Sequence, residues 1–278
     1  MSGIEVVGMV IGGFPILLNV IQGIREIILP KRKFLKQERE TQRPCMEGLL
    51  NTLTAPFESL RSCNSGIKRQ KYIPVSAKGV PVEAFPDTGS ELDILSLGFV
   101  NQIDAGVNAT GARTIELPTG HTIRTLGTVN VAILFEGEST VYRQTFHVLK
   151  SSRHKMILGK PFLETTQTLT KFAHRIRERL TSLATSIPRL HLLGSVTERV
   201  IGSINGIPTR GVDDIGSDVI VISWKEAKRL GLRINLEHSH RTYLGFVDGS
   251  EIYTDGAVIR ADWRFGSSTA GKAIKVDL

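Results

Sequence analysis

Cysteine is almost missing: Cys45 and Cys63 are the only two thiols in 278 residues. That excludes a disulfide framework and a four-thiolate zinc site, and it points to a reducing, intracellular and cytoplasmic setting. His121, His147, His154 and His174 show no ligand spacing, so they read as surface or packing residues; no metal and no other cofactor is expected. No apolar run reaches the ~20 residues of a membrane span. Val6 to Ile21 is uncharged but is broken by Gly8, Gly12, Gly13 and Pro15. A secretory signal is not expected either, because Met1-Ser2-Gly3-Ile4-Glu5 opens on an acid instead of a basic cluster.

What is present fits a globular protein: 41% hydrophobic and 22% charged residues, enough apolar side chain to build a core. The 27 glycines, set among short Val/Ile/Thr-rich runs, favour strands and tight turns over a helical bundle. The net charge is +8, with basic clusters at 25–43, 61–71, 150–160 and 171–179. Dispersed lysines and arginines read as a solvated surface, which argues against nucleic acid as a partner. Lys31-Arg32-Lys33 could rest on lipid, yet a buried or partner-packing helix is the favoured reading of the apolar N-terminus over membrane attachment.

Four stretches follow. Residues 1–66 read as a helical, apolar N-terminal segment and linker, whose opening resembles the start of helical N-terminal domains of fungal proteins. Residues 71–170 alternate short strands with Gly79, Gly120, Gly127 and Gly137, as a compact β unit does. In 171–190, Phe172, Ile176, Leu180, Leu183, Ala184 and Ile187 recur at helical spacing up to Pro188, which predicts an amphipathic tethering helix. Residues 196–278 return to strand-like sequence.

The chain repeats itself. Gly79-Val80-Pro81 through Ser96 aligns without a gap on Gly206-Ile207-Pro208 through Ser223, with Asp87 on Asp214, Gly89 on Gly216 and Ser90 on Ser217. After a two-residue insertion, Leu117-Pro118-Thr119-Gly120 matches Phe246-Val247-Asp248-Gly249. Each copy reads as strand, Asp-x-Gly-Ser loop, apolar strand, short helix and hairpin. In the second, Ser223 followed by Glu226 forms a helix-capping signal.

A strand leading into Asp87-Thr88-Gly89-Ser90, a hairpin over 114–125 and a later Ile157-Leu158-Gly159 together resemble the retropepsin-like aspartic proteases, fully over 71–170 and partly over 196–278. The resemblance implies a mainly β fold of acid-protease barrel lobes in tandem, flanked by the N-terminal helical segment and the linking helix. It implies hydrolysis of peptide or protein substrates by water held between two aspartates, here Asp87 and Asp214. By the same resemblance Thr88 clasps the opposing loop, Gly89 and Gly216 turn the chain beside the carboxylates, and Ser90 and Ser217 support them. Leu117, Pro118, Thr119 and Gly120 form a flap, and Ile157, Leu158 and Gly159 the strand behind the active loop.

The second copy departs from that pattern. Ile215 replaces the threonine, and the chain ends at Leu278 before another Ile-Leu-Gly strand. The expectation is therefore an aspartic endopeptidase, pairing Asp87 with Asp214 or with its twin in a homodimer through lobe one. The alternative is an inactive peptide-binding or scaffolding module; a third reading is a fragment of a retroelement polyprotein.

Overall fold

The computed structural model describes residues 9–12, 67–182, 187–191, 193–194, 199–266 and 273–278. Most of them belong to one compact unit built from Met1–Pro15, Lys71–Arg179 and Ile187–Leu278. Ile16–Gln70 with Leu180–Ser186 form a second unit, of which only 67–70 and 180–182 are described.

The chain is mainly β. In order the elements are β1 (Met9–Gly12), β2 (Ile67–Ala77), β3 (Val80–Asp87), β4 (Ile94–Ser96), α1 (Leu97–Gln102), β5 (Thr114–Glu116), β6 (Thr122–Arg124), β7 (Gly127–Phe135), β8 (Val141–Leu149), β9 (Met156–Gly159) and α2 (Lys160–Thr165). There follow β10 (Arg177–Ser182), β11 (Val200–Ile204), β12 (Ile207–Asp214), β13 (Val221–Ile222), α3 (Trp224–Arg229), β14 (Tyr243–Gly245), β15 (Glu251–Tyr253), β16 (Ala261–Phe265) and β17 (Ile274–Val276).

Turn chemistry sets the start of each lobe. Lys78 and Gly79 take φ of 49° and 82°, and Asn205 and Gly206 take 50° and 82°. Two successive left-handed residues match the twist of a two-residue hairpin, so β2 folds onto β3 and β11 onto β12 at the same place in the repeat. Lobe one closes on itself: β2, β3, β9, β4, β8 and β7 are joined in that order and β7 pairs back to β2. The ring thus gives every one of those six strands a partner on both sides over at least part of its length. Inside it, Ile73, Phe99, Val131, Ile133, Phe135 and Phe146 form the core. Lobe two is the open sheet β13-β1-β12-β11-β16-β17, packed around Trp263, Ile204, Leu230 and Ala227.

β1 overturns two expectations. In lobe one, β9 lies parallel to β3 with Asp87 opposite Gly159, and antiparallel to β4 with Ile94 opposite Ile157. In lobe two, β1 lies parallel to β12 with Asp214 opposite Gly12, and antiparallel to β13 with Val221 opposite Val10. Met9-Val10-Ile11-Gly12 therefore occupies the place that Met156-Ile157-Leu158-Gly159 holds in lobe one. The strand that looked missing after Leu278 is supplied from the front of the chain, and this part of the N-terminal segment is a strand instead of a helix. The rest of the expected helical region lies outside the described residues.

The tethering helix is also replaced. Ala173–Arg175 make one turn of 3-10 helix and Arg177–Ser182 are strand. Buried Arg175 stops a helix from running through: its guanidinium lies 3.9 Å from the Phe135 ring and 4.3 Å from Phe172, donates two 2.6 Å bonds to Glu138 and bonds the Thr166 carbonyl. Packing and pairing here outweigh the helical periodicity. Among the described residues no helix is long and apolar enough to cross a membrane.

Candidate active site

β3 and β12 each sit in a sheet interior and end on an aspartate. Parallel pairing beside the loop fixes both ends, Asp87 against Gly159 and Asp214 against Gly12. Ile157 and Leu158 are fully buried in that supporting strand, and Gly159 has to be glycine, since a Cβ there would lie 2.7 Å from the Leu92 carbonyl and 2.8 Å from that of Ser90. Beyond the strands, the Asp87-Thr88-Gly89-Ser90 and Asp214-Ile215-Gly216-Ser217 loops meet. Both carboxyl groups have no solvent exposure.

The loops interlock through their glycines. A Cβ on Gly89 would lie 2.5 Å from the carboxyl carbon of Asp214, and one on Gly216 would lie 3.0 Å from Asp87 Oδ1. Each glycine thus makes room for the other lobe's carboxyl. Thr88 crosses between lobes: its hydroxyl donates to the Asp213 carbonyl at 2.8 Å and accepts from the Ile215 amide at 2.8 Å. Ile215 has no hydroxyl to return the clasp, so the grip is one-sided, as its side chain foretold.

Ser90 and Ser217 differ. Ser217 Oγ donates to Asp214 Oδ2, and Asp214 Oδ1 accepts the amides of Gly216 (2.8 Å) and Ser217 (3.1 Å). Ser90 Oγ, expected to support the Asp87 carboxylate, instead donates to the Leu92 carbonyl at 2.7 Å and accepts the Leu92 amide. Asp87 keeps the Gly89 amide on Oδ1 at 2.9 Å.

These bonds assign the charge. Burial pushes the Asp87 carboxyl well above the usual carboxylate range, and the charge of Asp214 and the bond to it push the same way, with little opposition from the loop amides. Burial raises Asp214 too, but Ser217, Asp87 and two amides hold it back by bonding its ionised form. A pair this close shares one proton. Of the two, Asp87 is pushed further toward the protonated form, because fewer bonds favour its ionised form. Beside them, Asp213 is raised to about 6 by burial and the Asp214 charge, against Lys160 and Lys71.

One supporting residue escaped the sequence reading. Asp93, inside a run taken as apolar, is buried; it accepts the Gly159 amide at 2.7 Å and the Gln144 side chain at 2.5 Å. It ties the active loop to β9 and β8, and burial lifts its carboxyl to about 6. Only its place in the repeat, opposite the apolar Ile220, could have singled it out.

Two hairpins flank the loops, β5/β6 and β14/β15. In the first, Leu117 and Pro118 are buried, Thr119 is half-buried, and Gly120 closes the turn with φ of 76° and a bond to the Leu117 carbonyl. In the second, Phe246 and Val247 are buried and Gly249 repeats the turn with φ of 88°. Among the described residues no cluster of His, Cys, Asp and Glu could hold a metal ion.

The sequence matches no protein-family model and no curated protein. Solved structures do resemble the chain. The retroviral protease-like domain of Ddi1 from Leishmania major is 18% identical, with 35% of this chain and 78% of that one covered at a TM-score of 0.29. EIAV protease complexed with the inhibitor HBY-793 is 19% identical, covering 36% and 89% at 0.29. A retropepsin-like aspartic protease from Rickettsia conorii is 12% identical, covering 42% and 93% at 0.24.

Proposed function

We propose that the chain is an aspartic-type endopeptidase whose catalytic pair, Asp87 and Asp214, comes from its own two lobes. The observation that carries this reading is the buried carboxyl pair held by interlocked glycines and by Thr88. Two carboxylates ~4 Å apart repel by about 4 kcal/mol at an effective dielectric near 20, worth about three pKa units, so one stays protonated. Ionised Asp214 takes a proton from a water held between the two while protonated Asp87 bonds the substrate carbonyl. The hairpins at Leu117–Gly120 and Phe246–Gly249 close over the peptide. A homodimer through lobe one is not needed for this pair, because the second carboxyl is internal.

The second reading is an inactive peptide-binding module, and the one-sided grip at Ile215 is what favours it. Its other support, an incomplete lobe two, is removed by β1. Cleavage of an unbiased peptide library at acidic and neutral pH separates the two. Wild type should cut, and Asp87→Asn and Asp214→Asn should each lose at least a hundredfold. Loss in Asp87→Asn alone would mean a pair formed between two chains, and no cutting by wild type at any pH would favour the binding module.

A further inference from the structure

The two carboxyl groups are buried although an endopeptidase must admit a peptide to them, and the stretch lying over them is the chain's own connection between lobes. On the lobe-two side, the Asp218 amide donates to the Arg189 carbonyl at 2.8 Å and the Arg189 amide donates to Asp218 Oδ2 at 3.1 Å. The Leu190 amide donates to the Gly245 carbonyl at 3.1 Å, and the Gly245 amide donates to the Pro188 carbonyl at 2.9 Å. On the lobe-one side, the Glu91 amide donates to the Leu193 carbonyl at 3.3 Å, the Leu193 amide to the Gly89 carbonyl at 3.1 Å, and the Gly194 amide to the Glu116 carbonyl at 3.4 Å.

Glu91 and Asp218 are repeat-equivalent, and so are Glu116 and Gly245. The peptide group joining Arg189 to Leu190 thus bonds one lobe's loop and hairpin as the group joining Leu193 to Gly194 bonds the other's. The side chains agree. Leu193, fully buried, packs among Leu92, Ile94, Ile115 and Leu117; Leu190, 1% exposed, packs among their counterparts Val219, Val221, Leu244 and Phe246. Between them, buried His191 donates its amide to Ser217 Oγ at 3.0 Å and sets Nδ1 2.9 Å from the Gly216 carbonyl.

A segment bound alike at both ends by pseudo-symmetric lobes has its midpoint on their axis. Counting inward along the sequence from the two equivalent peptide groups, the middle falls directly after His191, and the two loops that meet there carry Asp87 and Asp214. We propose that Pro188–His191 and Leu193–Gly194, on either side of the bond after His191, lie in the peptide groove as a built-in substrate, closing it to other peptides until that bond is hydrolysed. This rests on the endopeptidase reading for the hydrolysis alone; the occupancy stands on the bonds. In the step, water oxygen bonds to the His191 carbonyl carbon as Asp214 takes a water proton and Asp87 protonates the carbonyl oxygen. The carbon–nitrogen bond then breaks and the nitrogen leaves with a proton, giving a carboxylate on His191 and a new amine on the other fragment. β1 stays paired to β12 and Thr88 to lobe two, so the nicked halves remain together.

Hydrogen exchange in full-length Asp87→Asn, which cannot cut itself, reads occupancy without activity. The amides of Leu190, Leu193 and Gly194 should exchange at least a hundredfold more slowly than in an unstructured linker; exchange at the linker rate overturns the proposal. In wild type at pH 4 to 6, intact mass should show one nick after His191, absent in Asp87→Asn. Leu190→Asp/Leu193→Asp, which expels the segment from its two pockets, should cut a peptide library at least tenfold faster than un-nicked wild type. Equal library rates without a nick would refute the built-in substrate and leave the protease standing. Protected amides with no cutting of either kind would remove the protease and the self-cleavage but keep the occupancy.

Discussion

Ser90 and Ser217 stand at the same place in the repeat and bond different partners, one the Leu92 backbone and the other the Asp214 carboxylate. That difference favours the ionised form of Asp214 over that of Asp87. A hydroxyl bonded to a carboxylate favours its ionised form, so removing it raises the pKa. Ser217→Ala should therefore move the acid limb of the peptide-cleavage profile to higher pH by about one unit, the equivalent of one hydrogen bond to a charged group. Ser90→Ala should leave that limb in place while lowering stability. A pH–rate profile of kcat/KM for both variants checks this, and equal shifts would mean that the two serines act on the pair alike.

At the scale of elements, the repeat was legible because it is written in residues with backbone jobs: the left-handed glycines at 79 and 206, the interlocked glycines at 89 and 216, and the cap Ser223, whose hydroxyl accepts the Glu226 amide at 3.2 Å. Such positions tolerate few substitutes, and both copies carry the same residue type there. β1 was hidden for the opposite reason. Met-Val-Ile-Gly is a generic apolar tetrapeptide, and its partner in β12 lies 202 positions further along the chain (Met9 opposite Gly211), so no local period marks it. The strand at 177–182 was misread as helix because Phe172, Ile176 and Leu180 satisfy a helical period that the Arg175 anchor overrides. β1 yields its own test. It lies between β12 and β13, where proline would remove a ladder hydrogen bond and leave its buried partner unsatisfied, at a cost of about 1–3 kcal/mol. Ile11→Pro should lower the urea-unfolding free energy by that amount and abolish peptide cleavage through the loss of Asp214's footing, although residue 11 is remote in sequence from both aspartates. A variant with wild-type stability would show that lobe two does not depend on the N-terminal strand.

For the whole molecule, acidification sets two effects against each other. The chain already carries +8 at pH 7, so protonation adds self-repulsion. Yet the buried carboxyls of Asp87, Asp214 and Asp93, and the half-buried one of Asp213, are all raised, those of Asp93 and Asp213 to about 6. A carboxyl whose folded pKa lies above its unfolded value of 3.8 holds a proton in the folded state that the unfolded chain has released. Its contribution is fully present below the unfolded value and is lost as pH rises through about 6. For Asp93, 5% exposed, the span from 3.8 to about 6 amounts to up to about 3 kcal/mol. Several such groups outweigh weak, salt-screened surface repulsion, so stability should rise as pH falls from 7 to about 4.5, the reverse of ordinary acid unfolding. Asp93→Asn removes one of these titrations while keeping an oxygen for the Gly159 amide. Its urea-unfolding free energy should gain about 2 kcal/mol less than wild type over that pH range, and parallel pH curves for the two proteins would mean that Asp93 is already charged in the fold at pH 4.5.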